Sequence, residues 1–418
     1  MHEVLWPNSV SCHGLSEASQ DKTAPEGWAF FHANEGEPLA TPWQVAIIRA
    51  SMLATSTLGK GWIVDCACGS GIQLAAYASF LNRPVLGVEL DEMRARASAL
   101  NLATVAQRQH VPDAPWLENS RFLIGDGTLP QEIFQSLGGP SKIAFLHLDP
   151  ARPRNSQAHD LSEMQPPVDI VLDAWAPYFS ETPAILLDLS PRLNETQRSA
   201  ITEMILKRWP GIDYTWEWTS RGKGRVDRLA VWIGSIAAEQ QRRFLRIPPT
   251  LAQRPFVLTG GDDNEETKLT QAPPMRGEYV SIIDAALVES GCAMAWLRQV
   301  TNDEVFRWAF ADGRRPQVHH TRPLHLFGDN VNLIQATGRV VDLMNFELNL
   351  ETIDNAVQLA LEYGMRSVKL RLDLDPALQP LLQGSFDRQL QRRHGTRHGF
   401  LCQHPNMTTL LLCIEQAE

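Results

Sequence analysis

Long apolar runs are missing from this 418-residue sequence. No stretch holds the roughly 18 consecutive apolar residues that a membrane-spanning helix needs. The first residues, MHEVLWPNSVSCHG, also lack the basic-then-apolar order of a secretory signal peptide. We therefore expect a cytoplasmic protein that makes no contact with a membrane.

Paired cysteines are missing as well. The six cysteines show no C-x-x-C spacing, which argues against a disulfide framework and against a zinc knuckle. The segment VHHTRPLHLF offers His319, His320 and His325, but no cysteine or acid stands at a useful ligand spacing beside them. We expect no bound metal.

An overall excess of positive charge is the third absence. The chain has 38 Lys and Arg against 48 Asp and Glu, a net charge of −10, whereas attraction to phosphates depends on a basic surface. Two segments depart from this balance: residues 207–246 hold nine basic and four acidic residues, and residues 366–400 hold seven and three. They are either nucleic-acid-binding faces or ordinary solvated surface. Phe400 ends the segment 366–400. It would stack on a base if that segment binds nucleic acid, and it would pack in the core if the segment is ordinary surface.

Strand-like and helix-like runs alternate from Trp62 to about Gly234. The strands are nearly continuous in apolar residues, which predicts an α/β fold with a mostly parallel sheet covered on both faces. The runs IDYTWEW and RLAVWIG, joined by TSRGKGRVD, predict an antiparallel hairpin at the end of that sheet.

The chain is long enough for two or three domains, at roughly 150 residues each. Pro, Gly and charged residues concentrate before residue 276, and a smaller α+β pattern follows, in which IDAALVESGCAMAWL predicts one amphipathic helix. The predicted parts are a helical lead-in over residues 1–60, a ligand-binding domain over 61–246, a linker over 247–275 and a C-terminal domain over 276–418. In the lead-in, Thr41 and Pro42 are predicted as the N-cap and first residue of a helix.

The segment IVDCACGSGIQ predicts a ligand-binding turn. The strand delivers Asp65 to its carboxyl end, and Gly69 and Gly71 allow the tight turn into a helix. The dinucleotide fingerprint G-x-G-x-x-G needs a third glycine where this chain has Leu74, which disfavours a dehydrogenase. An acid on the strand instead suits a ligand with an amine and no pyrophosphate, S-adenosylmethionine.

Acids also end the next two strands. Glu89 follows Gly69 by twenty residues and is placed to accept hydrogen bonds from ribose hydroxyls, while Asp126 could accept from the adenine amine. Any one of them could be only a helix cap or a surface residue. Acidic residues at the ends of three successive strands, Asp65, Glu89 and Asp126, together predict a nucleotide-type ligand. The other predicted cofactor-binding residues are Ala67, Leu90 and Gly127.

The fourth strand, IAFLHLDPARPRN, ends at the predicted catalytic residues Asp149, Pro150 and Arg152. The segment resembles the (D/N)-P-P-(Y/F/W) motif of methyltransferases that modify exocyclic base amines, with Ala151 and Arg152 replacing the second proline and the aromatic residue. The resemblance implies that Asp149 and the Pro150 carbonyl orient an amine. Arg152 could contact a substrate phosphate or carboxylate. The alternative is that Asp149 and Pro150 only terminate the strand.

The chain resembles the class I methyltransferases that carry a THUMP-like domain. The motifs that carry the resemblance are DPAR, QPPVD, ILLDLSPRLN, WTSRGKGRVDRLAVWIG and GEYVSIIDAALVESG, and it covers most of the chain from about Phe30. It implies a seven-stranded Rossmann-like methyltransferase domain, an RNA-type accessory domain and a nucleic-acid substrate. The chain departs from the family in Ala67, where a glycine is usual, and in PRNSQAHD after DPAR.

We therefore expect an S-adenosylmethionine-dependent methyltransferase that acts on RNA, either tRNA or rRNA. One alternative is a small-molecule or protein methyltransferase with the C-terminal domain as a lid or dimerisation module. A second is a non-catalytic S-adenosylmethionine-binding protein. The sequence makes no prediction of the oligomeric state.

Overall fold

The computed structural model describes residues 2–17, 21–33, 40–151, 161–222, 224–260, 269–302, 304–311, 313–392, 395–404 and 409–416. These residues form two compact units. The first comprises Met1–Glu217, Arg228–Arg243 and Ile247–Pro255, and the second comprises Trp218–Asp227, Phe244–Arg246 and Phe256–Glu418. The domain bounds derived from the sequence stay a prediction.

The first unit is organised around a mostly parallel sheet. Its strands are β1 (Glu3–Leu5), β4 (Trp62–Asp65), β5 (Val85–Glu89), β6 (Arg121–Ile124), β7 (Ile143–Leu148), β8 (Ala184–Leu189), β9 (Tyr214–Ser220) and β10 (Arg228–Gly234). Strands β2 (Ser16–Glu17) and β3 (Phe31–His32) form a separate two-stranded ribbon. From β1 as far as β9, the order of neighbouring strands in this sheet is β1-β6-β5-β4-β7-β8-β10-β9. Strands β6, β5, β4, β7 and β8 pair in parallel, whereas β10 pairs with β8 in antiparallel register.

Helices connect these strands: α1 (Trp43–Ala54), α2 (Ile72–Leu81), α3 (Glu92–Arg108), α4 (Pro115–Glu118), α5 (Pro130–Ser136), α6 (Val168–Trp175) and α7 (Glu195–Arg208). Every residue of β7 and of β8 is buried, which accounts for their continuous apolar runs. The predicted α/β sheet with an antiparallel end is confirmed. Strand β1, which pairs with β6 at the opposite edge, was not anticipated.

Helix α1 begins one residue later than the sequence pattern indicates. Pro42 is the N-cap and gives no side-chain cap. The exposed N–H groups of the first turn are instead satisfied from a distant segment: Trp43 donates to Asp21 Oδ2 at 2.7 Å and Gln44 to Thr23 Oγ1 at 3.2 Å. A cap supplied through the tertiary structure replaces the local one.

The second unit is smaller and mixed α+β, as the sequence predicts. The elements that follow β10 in the chain begin with β11 (Arg242–Arg246), of which only Phe244–Arg246 belong to this unit. The others are β12 (Phe256–Gly260), β13 (Tyr279–Ile283), α8 (Ala285–Glu289), α9 (Ala293–Thr301), β14 (Phe306–Phe310), β15 (Gln317–His320), β16 (Ile334–Asn345), α10 (Ile353–Glu362), β17 (Met365–Arg371), α11 (Leu378–Gln391), β18 (Arg397–Gln403) and β19 (Thr409–Glu415). A seven-stranded sheet runs β14-β15-β13-β16-β19-β18-β17, with only β17 and β18 parallel among its described pairs.

The core of the second unit explains two features of its sequence. The run IDAALVESGCAMAWL, expected to be one helix, splits into α8 and α9 because Gly291 adopts a left-handed φ of 79° between them. Phe400 on β18 is fully buried. Its ring therefore packs in the core.

Candidate functional site

Four acidic residues lie at the carboxyl ends of four neighbouring strands. Asp126 follows β6, Glu89 ends β5, Asp65 ends β4 and Asp149 follows β7, and these strands are adjacent and parallel. The carboxyl edge of such a sheet is where ligands of open α/β folds bind. The topology thus brings the sequence-predicted acids to one edge of the first unit.

A glycine turn leads from this edge into α2. Gly69 and Gly71 have left-handed φ values of 54° and 69°, and Gly71 N–H donates to the Cys68 carbonyl at 2.7 Å. A Cβ on Gly71 would lie 1.9 Å from Ser98 Oγ, whereas a Cβ on Gly69 would have no atom within 4 Å. Gly71 is therefore required for packing against α3, and Gly69 faces open space.

Glu89 ties the glycine turn to β5. Its Oε2 accepts from Gly69 N–H at 3.0 Å and its Oε1 accepts from Asp91 N–H at 3.2 Å. A carboxylate offers about four lone-pair sites, so two remain for a ligand. Leu90, the next residue, is 72% exposed and lies at the rim of this edge.

Asp126 and Gly127 form a tight turn after β6. Asp126 Oδ1 accepts from Thr128 N–H at 2.8 Å and from its hydroxyl at 2.7 Å, and Oδ2 accepts no hydrogen bond from the described residues. The Gly127 carbonyl accepts from Trp175 Nε1 at 2.8 Å, and a Cβ on Gly127 would lie 1.9 Å from the Cys66 carbonyl oxygen. Only glycine allows this close approach to the end of β4.

A buried ionic network lies beneath the turn. Asp65 and His147 face each other across β4 and β7, and Asp65 Oδ2 lies 2.7 Å from His147 Nδ1. His147 Nε2 lies 3.2 Å from Asp188 Oδ2, and Arg49 donates to both Asp188 oxygens at 2.5 and 2.6 Å. All four residues are 3% exposed or less. Two cations and two carboxylates therefore alternate in the core.

The network sets the protonation of its members. Burial by itself lowers the pKa of the His147 imidazole, but the Asp65 and Asp188 carboxylates outweigh burial and raise that pKa to about 9. Burial likewise raises the pKa of Asp188, yet Arg49 and His147 outweigh it and hold that pKa below its ordinary value. His147 is consequently an imidazolium near neutral pH.

Asp65 is occupied by this network. Besides His147 it contacts the turn, because Oδ1 accepts from Ala67 N–H at 3.1 Å. Ala67 itself is half-buried at the start of the turn. Asp65 thus links the buried cation His147 to the backbone of the glycine turn.

Asp149 is the most accessible of the strand-end acids near this network, with 41% of its side-chain surface exposed. Its Oδ2 lies 3.9 Å from Arg228 Nη1 on β10. Partial removal from water and the Asp188 carboxylate raise the pKa of Asp149, and Arg228 opposes the rise. Pro150 is buried next to it, and Arg152 lies outside the described residues.

Three members of the network were not predicted from the sequence: Arg49, His147 and Asp188. Each carries a signal, since each is a polar residue within an otherwise apolar run, in IIRASML, IAFLHL and AILLDL. A charged side chain in a fully buried strand needs a partner. The identity of that partner depends on strand order, which local sequence does not supply.

Metal centres and membrane-spanning helices are both absent from the described ranges. No group of three or more His, Cys, Asp or Glu side chains there is arranged to hold a metal ion. None of the helices in that part of the chain combines the length and the apolar character that crossing a lipid bilayer demands.

Comparison with proteins of known structure shows which fold this chain shares. No protein-family model matches the chain, and no curated protein matches it. A crystal structure of a protein from Porphyromonas gingivalis W83, provisionally assigned as a methyltransferase, is similar over 91% of this chain and 82% of that one, with a TM-score of 0.56 and 14% identity. An S-adenosylmethionine-dependent methyltransferase from Agrobacterium tumefaciens is similar over 54% of this chain and 71% of that one, with a TM-score of 0.35 and 12% identity. The chain has the fold of the Porphyromonas protein, a Rossmann-like sheet with a smaller C-terminal sheet.

Proposed function

We propose that this protein is an S-adenosylmethionine-dependent methyltransferase whose cofactor lies over the carboxyl ends of β4, β5 and β6. The observation that carries the proposal is the set of carboxylates at these adjacent strand ends, arranged around a glycine turn that faces open space at Gly69. An acceptor would lie beside Asp149, at the next strand end.

The free hydrogen-bonding capacity at this edge fits the cofactor. Glu89 keeps lone pairs for the two ribose hydroxyls after accepting from Gly69 and Asp91. Asp126 Oδ2 is available for the adenine amine, beside Gly127. Leu90 would provide apolar surface at the rim.

Asp65 would act on the cofactor through the turn. Its carboxylate is buried and bonded to His147 and to Ala67 N–H, so it holds the turn in the shape that receives the methionine portion. We accordingly propose Asp65 and His147 as positioning residues, together with Gly71, whose packing leaves no room for a side chain.

The bound cofactor supplies an electrophilic methyl group on a sulfonium, and the chain supplies orientation. Asp149 and the Pro150 carbonyl would accept hydrogen bonds from the N–H groups of an acceptor amine and so direct its lone pair. Arg228, 3.9 Å from Asp149, favours the ionised carboxylate. The proton lost by the methylated amine passes to Asp149 and then to water. Arg152 would contact a substrate phosphate or carboxylate.

We propose RNA as the substrate class. The sequence resemblance and the basic segment 207–246 support it. A small-molecule or protein substrate, and binding of S-adenosylmethionine without transfer, are the outcomes that would replace it.

The cofactor site is tested by calorimetric titration of S-adenosylmethionine into the full chain. Glu89→Gln should weaken binding by about ten- to a hundredfold, since a hydrogen bond to a charged group contributes about 1.5–3 kcal/mol. Glu92→Gln, an exposed position on α3, is the matched control and should bind like the wild type. Equal affinities for both variants would remove Glu89 from the site.

Transfer is tested with methyl-labelled S-adenosylmethionine and RNA, protein and small-molecule fractions. Label should enter RNA, Asp149→Ala should abolish transfer while it leaves cofactor affinity nearly unchanged, and the exposed control Asp113→Ala should remain active. Label in another fraction would reassign the substrate. Cofactor binding with no label in any fraction would indicate a non-catalytic protein.

A further inference from the structure

A cavity of about 330 Å³ lies within the second unit and is lined by three arginines, Arg314, Arg315 and Arg371. Gly222 and Gly224 form part of its wall, and Gln335 forms another part. Among the lining residues that the structure describes, none is acidic. The cavity does not belong to the strand-end site of the first unit.

The arginines are not neutralised by the described residues around them. Arg314 has no side-chain hydrogen bond or ion pair among them and is exposed. Arg371 Nη2 donates to the uncharged carbonyl of Gln335 at 3.1 Å, and its Nε is buried without a partner. Among the described residues, Arg315 pairs with Asp373, whose Oδ1 lies 3.9 Å from Nη1 and whose side chain is fully exposed.

The three charges also act on one another. Burial lowers the pKa of the Arg315 guanidinium, and the neighbouring Arg371 and Arg314 lower it further, while Asp373 opposes them. Like charges gathered in a partly desolvated space repel, so an anion between the guanidinium groups would reduce their repulsion.

The wall of the cavity is held by hydrogen bonds. The Gln335 side-chain N–H groups donate to the Arg314 carbonyl at 2.8 Å and to the Ile283 carbonyl at 2.9 Å. Gly224, with a left-handed φ of 66°, approaches so closely that a Cβ there would lie 2.9 Å from Gln335 Oε1 and 3.1 Å from the Arg314 carbonyl oxygen. The left-handed backbone and these close contacts favour glycine at 224, and Arg314 is anchored through its backbone.

We propose that this cavity binds a phosphate group. A guanidinium offers several N–H donors in a planar fork that matches phosphate oxygens, and three such forks suit a tetrahedral anion better than a planar carboxylate. The volume exceeds that of one phosphate group, so the remainder of a nucleotide has room. The phosphate belongs either to a free nucleotide or inorganic ion, or to a nucleic-acid strand. The proposal does not depend on methyl transfer.

The first test uses the wild-type full chain and an arginine-selective dicarbonyl reagent, with mass spectrometry to follow each arginine. Inorganic phosphate should slow modification of Arg314 and Arg371 severalfold relative to chloride at equal ionic strength. Arg366, exposed on the same strand as Arg371 but outside the cavity, is the internal control and should react equally in both salts. Equal reactivity of Arg314 and Arg371 in the two salts would overturn the proposal.

The second test identifies the source of the phosphate, by fluorescence anisotropy with a labelled single-stranded RNA of twelve nucleotides and by calorimetry with adenosine monophosphate. Arg371→Gln and Arg314→Gln, the second at a more exposed position, should each lower the affinity for the probe that binds about tenfold. Arg366→Gln should leave this affinity unchanged. For RNA, the slope of log affinity against log salt should also fall by about 0.7.

Loss of RNA affinity identifies a strand phosphate, and loss of adenosine monophosphate affinity alone identifies a free nucleotide. Both outcomes support the phosphate site. If Arg366→Gln weakens both probes as much as Arg371→Gln and Arg314→Gln do, the effect is general electrostatics and the site is refuted.

Discussion

Replacement of His147 tests the buried network directly. In the folded protein the imidazolium lies between Asp65 and Asp188, at 2.7 and 3.2 Å. In His147→Gln the side chain can still donate one hydrogen bond, but it carries no charge. Asp188 then keeps Arg49 and, at 4.0 Å, Arg228 as cationic neighbours. Asp65 loses its ion-pair partner in the core, which is costly because buried charges need partners.

The size of the stabilisation by the His147 charge follows from the pKa of this residue. Its rise from 6.5 to about 9 corresponds to about 3 kcal/mol, at about 1.4 kcal/mol for each pH unit. The folded protein holds this proton more tightly than the unfolded chain does. The stabilisation is therefore complete below a pH of about 6.5 and is lost as the pH rises through about 9.

The assay is urea unfolding of wild type and His147→Gln between pH 6 and 10, followed through the transition of the first unit. The difference in free energy of unfolding should shrink by about 3 kcal/mol over this range. Ionisation of Cys66 and Cys68, whose pKa values burial raises, affects both proteins equally and cancels in the difference. The exposed control His13→Gln should follow the wild type. A difference that stays constant with pH would refute a charged His147.

Three further variants test the packing. Gly71→Ala should lower the free energy of unfolding by more than about 2 kcal/mol, because a left-handed φ costs about 1–2 kcal/mol and the added Cβ meets a serine side chain at 1.9 Å. Gly211→Ala, with a similar φ and open surroundings, should lower it in chemical denaturation only by the cost of the left-handed φ. Arg49→Met should lower the unfolding free energy by about 3–5 kcal/mol, since Asp188 loses its bidentate partner; a cost below 1 kcal/mol would show that the pair is dispensable. Phe400→Ala should cost about 3–5 kcal/mol through the cavity left in the core, and a nearly neutral effect on thermal unfolding would place the ring elsewhere.

Local pattern was sufficient for most of the first unit. The continuous apolar runs of β7 and β8 and the helices between strands were predicted because burial on both faces leaves a direct trace in composition. Strand β1 was missed since three residues carry too little pattern, and only its pairing with β6 makes it a strand. The break between α8 and α9 was missed because one glycine can either continue or end a helix, and its φ decides which.

The strand-end acids of the candidate site were also readable from the sequence. A parallel sheet places successive carboxyl ends at one edge, so Asp65, Glu89, Asp126 and Asp149 could be expected to gather there. The occupation of Asp65 by His147 could not be expected, because it depends on β4 and β7 being neighbours although two strands separate them in the chain.

The sequence by itself determined the α/β class, the glycine turn and the order of acids along the sheet edge, since these depend on periodicity and on residues close in the chain. Tertiary structure alone decided which charges are paired. Arg49 reaches Asp188 across 139 positions, and Arg371 reaches the neighbourhood of Arg314 and Gly224 only when separate segments meet. An ion pair depends on distance in space, and distance along the chain does not encode it.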